Sequence, residues 1–140
     1  MLARAGLDRL GVDEGEPIDA AVLTPAPGQG CLALEARTGD DDIAALAGSV
    51  TDRAALVELT AERAVVTELD ATCQTPVGAH ARLAGDVLTV EGYAGLPDGS
   101  AWIRDRLEGD AADPSALGRE LGQRMLAAGA GALLAQAETG

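Results

Sequence analysis

The sequence predicts an α+β domain in which helices pack on one face of a three-stranded antiparallel sheet. Three observations carry that expectation. Apolar residues follow helical steps from about Asp40 to Asp70 and alternate from Ala79 onward, so the period changes from helix to strand near the middle of the chain. Two turn signals, Gly85-Asp86 and Leu96-Pro97-Asp98-Gly99, cut the alternating stretch into three strands of a meander. Asp113-Pro114 then offers an N-cap acid followed by an N1 proline, the favoured order for opening a helix.

In chain order, Leu2, Leu7 and Leu10 repeat at roughly helical spacing, which predicts a short helix from Met1 to Leu10 stopped by Gly11. Asp13 to Pro17 is an acidic connector, and Ile18 to Leu23 is apolar and suited to an extended path. Pro25-Ala26-Pro27-Gly28-Gln29-Gly30 forces a tight turn, after which Leu32 and Leu34 alternate in a strand from Cys31 to Ala36. A lone helix with one or two strands leaves backbone edges unpaired, so these residues should complete a sheet supplied by something else. Asp40-Asp41-Asp42 places acids at the positive end of a helix reaching Val50. Thr51-Asp52 caps a longer helix to about Asp70, with apolar positions Leu56, Leu59, Ala64, Val65, Val66 and Leu69. The strands are expected over Ala79–Leu83, Val87–Ala94 and Ala101–Leu107. Leu117, Leu121, Met125 and Leu126 form the stripe of the next helix, and Gly129 divides it from a short last helix reaching about Ala137.

A net charge of −13 argues against nucleic acid or an anionic membrane surface as partner, because phosphate binding needs clustered cations. All ten basic residues are Arg. The core has no Phe and only one Trp and one Tyr, so Leu, Val, Ile and Ala must fill it. Two cysteines without CxxC spacing make neither a disulfide framework nor a redox pair, and the single His80 leaves zinc short of ligands. No apolar run is long enough to span a bilayer and no signal-peptide core opens the chain, so a cytoplasmic setting is expected.

Chemistry could sit in three places. The loop Leu69 to Gly78 carries Cys73 between helix and strand, with Pro76 and Gly78 fixing the backbone behind it. A thiol at a loop tip suits covalent attachment or nucleophilic attack, whereas a structural cysteine is more often buried. A cysteine hydrolase would need His80 as its base. The Pro25 to Gly30 turn is either structural or a ligand loop, with Gln29 offering a donor and an acceptor. Glu62 and Arg63, about 100° apart on the helix, read as a solvated face, as does Arg53, and Asp40 to Asp42 read as capping acids. Cys31, in its expected strand, reads as a packing residue.

Four ordered motifs resemble one family. They are Leu2-Ala3-Arg4-Ala5-Gly6-Leu7-Asp8-Arg9-Leu10-Gly11, the stretch Leu23-Thr24-Pro25-Ala26-Pro27-Gly28-Gln29-Gly30-Cys31 continuing to Arg37, Ala61-Glu62-Arg63-Ala64, and Cys73-Gln74-Thr75-Pro76-Val77-Gly78. Together with the hairpin-like Gly92 to Ser100 they resemble the C-terminal part of the porphobilinogen deaminases, also called hydroxymethylbilane synthases. That family joins four porphobilinogen units head to tail with release of ammonia, in tetrapyrrole biosynthesis. The chain grows on a dipyrromethane cofactor held by a thioether. The resemblance implies that Cys73 is the attachment cysteine, that Gln29 and Gly30 lie in the segment returning beside the cofactor, and that Arg63 counters carboxylates.

The same resemblance implies that residues 1–39 are a remnant of the second domain and a returning strand of the first, and that residues 40–140 form the C-terminal cofactor-anchor domain. No acid here matches the family's catalytic aspartate, so no catalytic residue is assigned and the remaining N-terminal domains are expected as partners. Ala71-Thr72 stands where the family usually has a smaller pair, which stiffens the loop before the cysteine. A non-catalytic binding or assembly module with the same fold is the rival reading.

Overall fold

In a computed structural model, which describes residues 3–139, five helices and three strands follow in the order α1 (Arg4–Leu10), α2 (Asp41–Gly48), α3 (Arg53–Glu68), β1 (Val77–Ala84), β2 (Val87–Gly95), β3 (Trp102–Asp110), α4 (Pro114–Ala127) and α5 (Ala130–Thr139). Leu2, expected in the first helix, lies outside the described residues. The helix starts match the residues that predict them. Asp40 accepts from the Ile43 N–H, Asp52 from those of Ala54 and Ala55, and Asp113 from that of Ala116 directly before Pro114.

The strands form an antiparallel sheet in the order β1-β2-β3. β3 runs on to Asp110, beyond the expected Leu107, because Leu88 pairs with Gly109 and Val87 with Asp110 at the far end of the ladder. Between β2 and β3 the Ser100 N–H and hydroxyl donate to Asp98 at 3.0 and 2.7 Å. These bonds hold the Asp98 carboxyl below the usual carboxylate range.

One face of the sheet carries the core. Ala79 and Ala81 of β1 and Leu88, Val90 and Ala94 of β2 are buried against Val65 of α3, Leu121 and Met125 of α4, and Leu134 of α5. Alternation along each strand sends the remaining residues, among them Glu91, Tyr93 and Arg104, to the opposite face. The helices approach closely through glycine. A Cβ on Gly118 would overlap the Ala61 carbonyl oxygen and come within 2.7 Å of the Ala64 Cβ, so α3 and α4 can cross at this distance only with no side chain there. Met125 closes over Gly92 in the same way from above the sheet.

The residues before α3 behave differently. Among the described residues, neither α1 nor α2 brings its backbone within 8 Å of another helix or strand. The strand expected from Cys31 to Ala36 does not form, and Leu32 and Leu34 are 98% and 66% exposed. An extended segment becomes a strand only when a neighbour pairs with it, and this one has none. Cys31 is accordingly exposed rather than packed. Ile18 to Leu23 is not extended either: Val22 and Leu23 both donate to the Asp19 carbonyl, which winds it into a turn. Leu56, expected on the buried stripe of α3, is 52% exposed on the side facing this segment, and Leu126 lies at the margin of its own stripe.

Replacing Gly118 with Ala should lower unfolding free energy by about 1–3 kcal/mol through overpacking against α3. Gly48→Ala, a helical glycine with open space around it, should change it by less than about 0.5 kcal/mol. Urea titrations of the two variants against the parent chain compare them directly, and equal midpoints would refute the close-crossing account.

Candidate functional site

The loop that carries Cys73 is set by the end of α3. Asp70 takes a left-handed conformation, φ 51°, the one described non-glycine residue with positive φ. Its N–H donates to the Thr67 carbonyl at 3.2 Å and the Ala71 N–H to the Val66 carbonyl at 3.0 Å, a Schellman closure with Asp where Gly is usual. A tight turn follows, closed by the Thr75 N–H donating to the Thr72 carbonyl at 3.1 Å. Cys73 is the second residue of this turn, and it is exposed and in no disulfide among the described residues. Pro76 and Val77 then lead into β1.

The Pro25 to Gly30 turn lies against the same unit. The Ala79 N–H donates to the Pro25 carbonyl at 3.0 Å, and Gly78 is a glycine because Thr24 and Pro25 cross over it: a Cβ there would stand 2.8 Å from the Thr24 carbonyl oxygen. Gly28 takes φ 68° and packs on Leu59 of α3. Gln29 turns its side-chain carbonyl back to the Ala26 N–H at 3.3 Å, and both Gln29 and Gly30 are exposed. Of the residues singled out from sequence, the turn and the cysteine loop are thus joined through Gly78 and Ala79. No hydrogen bond links Gln29, Gly30, Arg63 and Cys73 to one another among the described residues. Arg63 is exposed on α3, about 9 Å along the axis from Leu69.

Glu62 is the residue that sequence reasoning misplaced. It is not on a solvated face: it is 8% exposed, the one charged residue in the described core. One carboxylate oxygen accepts the Gly28 N–H at 2.7 Å and the other the Ala81 N–H at 2.9 Å, with His80 Nδ1 3.6 Å away. One turn earlier, Glu58 accepts the Leu83 N–H at 2.8 Å. The outward N–H groups of β1 at residues 79, 81 and 83 therefore all have acceptors, one from Pro25 and two from α3. The signal available in the sequence was spacing. Glu58 and Glu62 are four apart on one helix, and Ala81 and Leu83 are two apart on one strand edge. His80 faces Glu62 and makes no contact with Cys73 among the described residues, so a cysteine–histidine pair has no geometric support.

On the opposite face of the sheet Arg104 pairs with Glu91 and donates to the Ala20 carbonyl at 2.9 Å, while Thr24 donates to Glu91 at 3.2 Å. Residues 20–28 are consequently tied to the sheet from both sides. Among the described residues no group of three or more His, Cys, Asp or Glu is arranged to hold a metal ion, and no helix is long and apolar enough to cross a membrane.

Replacing Glu62 with Ala leaves two backbone donors without their acceptor and should cost about 2–4 kcal/mol of unfolding free energy. Gln in its place retains one acceptor and should cost about half as much. Amide exchange at Ala81 and Gly28 should accelerate together in the Ala variant. Acceleration at only one of the two would show that the carboxylate does not bridge them.

Comparison with known proteins meets this geometry on both sides. Residues 56–127 match the family model described as porphobilinogen deaminase, C-terminal domain, and residues 1–45 match the one described as porphobilinogen deaminase, dipyromethane cofactor binding domain. Cys73 falls within the first match and the Pro25 to Gly30 turn within the second. The porphobilinogen deaminases of Roseiflexus castenholzii and Deinococcus radiodurans are each 44% identical to the chain, over 137 and 138 residues, and that of Thiobacillus denitrificans is 42% identical over 138. In each case the alignment covers 96% of this chain and 44–45% of the relative, so the chain spans under half the length of the curated relatives it matches. With more than half of its length matched by the C-terminal-domain model, the chain belongs to the porphobilinogen deaminase family.

Proposed function

We propose that the chain is the C-terminal part of a hydroxymethylbilane synthase, a transferase that joins four porphobilinogen units with release of ammonia in tetrapyrrole biosynthesis. Its own contribution is the anchor for the dipyrromethane cofactor, with Cys73 as the attachment residue. The observation that carries this reading is the placement of Cys73. It is an exposed thiol at the tip of a closed turn, between a capped helix end and the first strand, in the stretch matched by the C-terminal-domain model.

The residues fit the group. The N–H groups of Thr72, Gln74 and Thr75 are bonded within the turn, and no bond among them involves the thiol. A thiolate is a soft nucleophile, and the thioether it forms is stable to water. Attachment makes one Sγ–carbon bond to a methylene of the pyrrole. The bond broken is that of the same carbon to its leaving group, which is ammonia for an aminomethylpyrrole, and the ammonia departs with the proton that the thiol gives up. Bound there, the cofactor supplies the pyrrole carbon to which substrate units are added. In this reading Gln29 and Gly30, both exposed, would border the cofactor from the returning segment, and exposed Arg63 would offer a cation to a carboxylate.

Residues 40–140 serve as the anchor domain, and residues 1–39 belong with the remaining length of the enzyme, whose domains are the partners of this chain. Exposed Leu32, Leu34, Leu46 and Val50 are the apolar surface those partners would cover. The catalytic acid–base groups would come from that remainder, since a general acid must stand within hydrogen-bond reach of the reacting atoms. The setting proposed is the cytoplasm.

Joined to the remaining length of the Roseiflexus castenholzii relative, the chain should consume porphobilinogen, release ammonia and carry a dipyrrole mass on the Cys73 peptide. Cys73→Ser should abolish both the adduct and turnover, and the chain by itself should show no turnover. Full turnover in the Cys73→Ser protein would overturn Cys73 as the attachment residue, and a joined protein with neither adduct nor turnover would favour a non-catalytic assembly module.

A further inference from the structure

The loop around Cys73 contains a side-chain arrangement that thioether formation by itself does not require. Thr75 Oγ1 accepts the Thr72 N–H at 2.8 Å, Thr72 Oγ1 accepts the Gln74 N–H at 3.3 Å, and the two hydroxyl oxygens stand 3.1 Å apart. With the Thr75 N–H on the Thr72 carbonyl, the N–H groups on both sides of Cys73 are bonded inside the turn. Both threonines are β-branched, so each holds its hydroxyl in few rotamers. The turn is anchored at either end: the Ala71 N–H is spent on the helix closure, and the Val77 N–H donates to the Thr75 carbonyl at 2.8 Å.

Resting on the reading of Cys73 as the cofactor anchor, we infer that Thr72 and Thr75 are positioning residues for thioether formation. Their paired hydroxyls fix the backbone that carries Cys73 and leave its side chain outside the hydrogen bonds of the turn. The effect is on orientation rather than on exposure. A small reagent from solvent reaches an exposed thiol at almost any rotamer, whereas a pyrrole held by the rest of an enzyme approaches from one direction. Only the second reaction gains from a fixed turn, because a bound partner reacts quickly only when the reacting atoms are held close and aligned. Neither hydroxyl touches the reacting carbon in this account, and both act through the backbone of the turn.

The variants that test this are Thr75→Val, which keeps the shape and loses the hydroxyl, and Thr75→Ser, which keeps the hydroxyl. In the chain itself, with Cys31 replaced by Ser so that one thiol remains, Thr75→Val should speed amide exchange at Thr72 by about tenfold or more, and Thr75→Ser should not. Alkylation of Cys73 by iodoacetamide should stay within about twofold of the parent in both, because the thiol is exposed throughout. In the chain joined to the remaining length of the relative, the rate of adduct formation on Cys73, read by intact mass, should fall about tenfold in Thr75→Val and recover in Thr75→Ser. An adduct that forms at the parent rate in Thr75→Val, or unchanged exchange at Thr72, overturns the positioning role alone. A parent protein that never acquires the adduct overturns the anchor reading itself, and the positioning role with it.

Discussion

The interaction on which the arrangement depends is the Glu62 carboxylate shared between the Gly28 and Ala81 N–H groups. A buried carboxylate is costly unless its oxygens are fully bonded, and here each oxygen takes a backbone donor from a different part of the chain. One of those donors belongs to the edge strand of the sheet and the other to a turn more than thirty positions earlier in sequence. The long-range contact is thereby made to the backbone, so it fixes the path of the chain and not just the packing of side chains. Glu58 repeats the device one helical turn away, at Leu83.

That arrangement answers a topological difficulty. β1 is an outer strand, and its outward N–H groups would otherwise be a template for pairing with another chain. A fourth strand paired with β1 would close the edge but would also remove the space through which residues 20–28 cross. Carboxylates from α3 satisfy the donors at the helix end of that edge, and the Pro25 carbonyl satisfies the one nearest the cysteine loop. On the other face Arg104 reaches the carbonyls of Ala20 and Ala21, and Thr24 bonds Glu91. The crossing segment is held by charged groups above and below, so it travels with the sheet even though the residues on either side of it pack on little. These bonds attach residues 20–28 to α3 and the sheet across the boundary proposed at residue 39.

The legible parts of the fold were those decided locally. The meander could be read from alternation between Ala79 and Leu107 and from Pro97-Asp98-Gly99, and the start of α4 from Asp113-Pro114, because turns and caps are built by neighbours in sequence. Cys73 was legible as a loop thiol for the same reason, lying between two changes of period. Glu62 was not, because nothing about an acid beside Arg63 says which of the two will be buried. That is set by which side of α3 meets β1. The segment Cys31 to Ala36 failed in the opposite sense. Its alternation is real, but strand geometry is stabilised by cross-strand bonds and pairs, and the sequence pattern persists whether or not the partner is there.

Charge gives the last constraint. The chain carries twenty-three acidic residues and ten arginines. Of the arginines, Arg4, Arg104, Arg106 and Arg124 are already committed to ion pairs with Asp8, Glu91, Glu108 and Asp105. Arg63 stands exposed, but one cation cannot offset a ligand with several carboxylates against so acidic a background, since like charges around the site repel it over about a Debye length of 8–10 Å. Under the proposed function, a polyanionic pyrrole chain would draw most of its counter-charge from outside these residues. What this chain can offer is a nucleophile and a fixed place to stand. In that reading the anchor cysteine would need no cationic pocket of its own if the partner domains supplied one, and an acidic surround would discourage capture of stray anions while the site is open. On the proposed anchor role, this distribution of charge would separate two tasks that a single cleft would otherwise have to combine, with the product chain held by one covalent bond here and its carboxylates neutralised elsewhere.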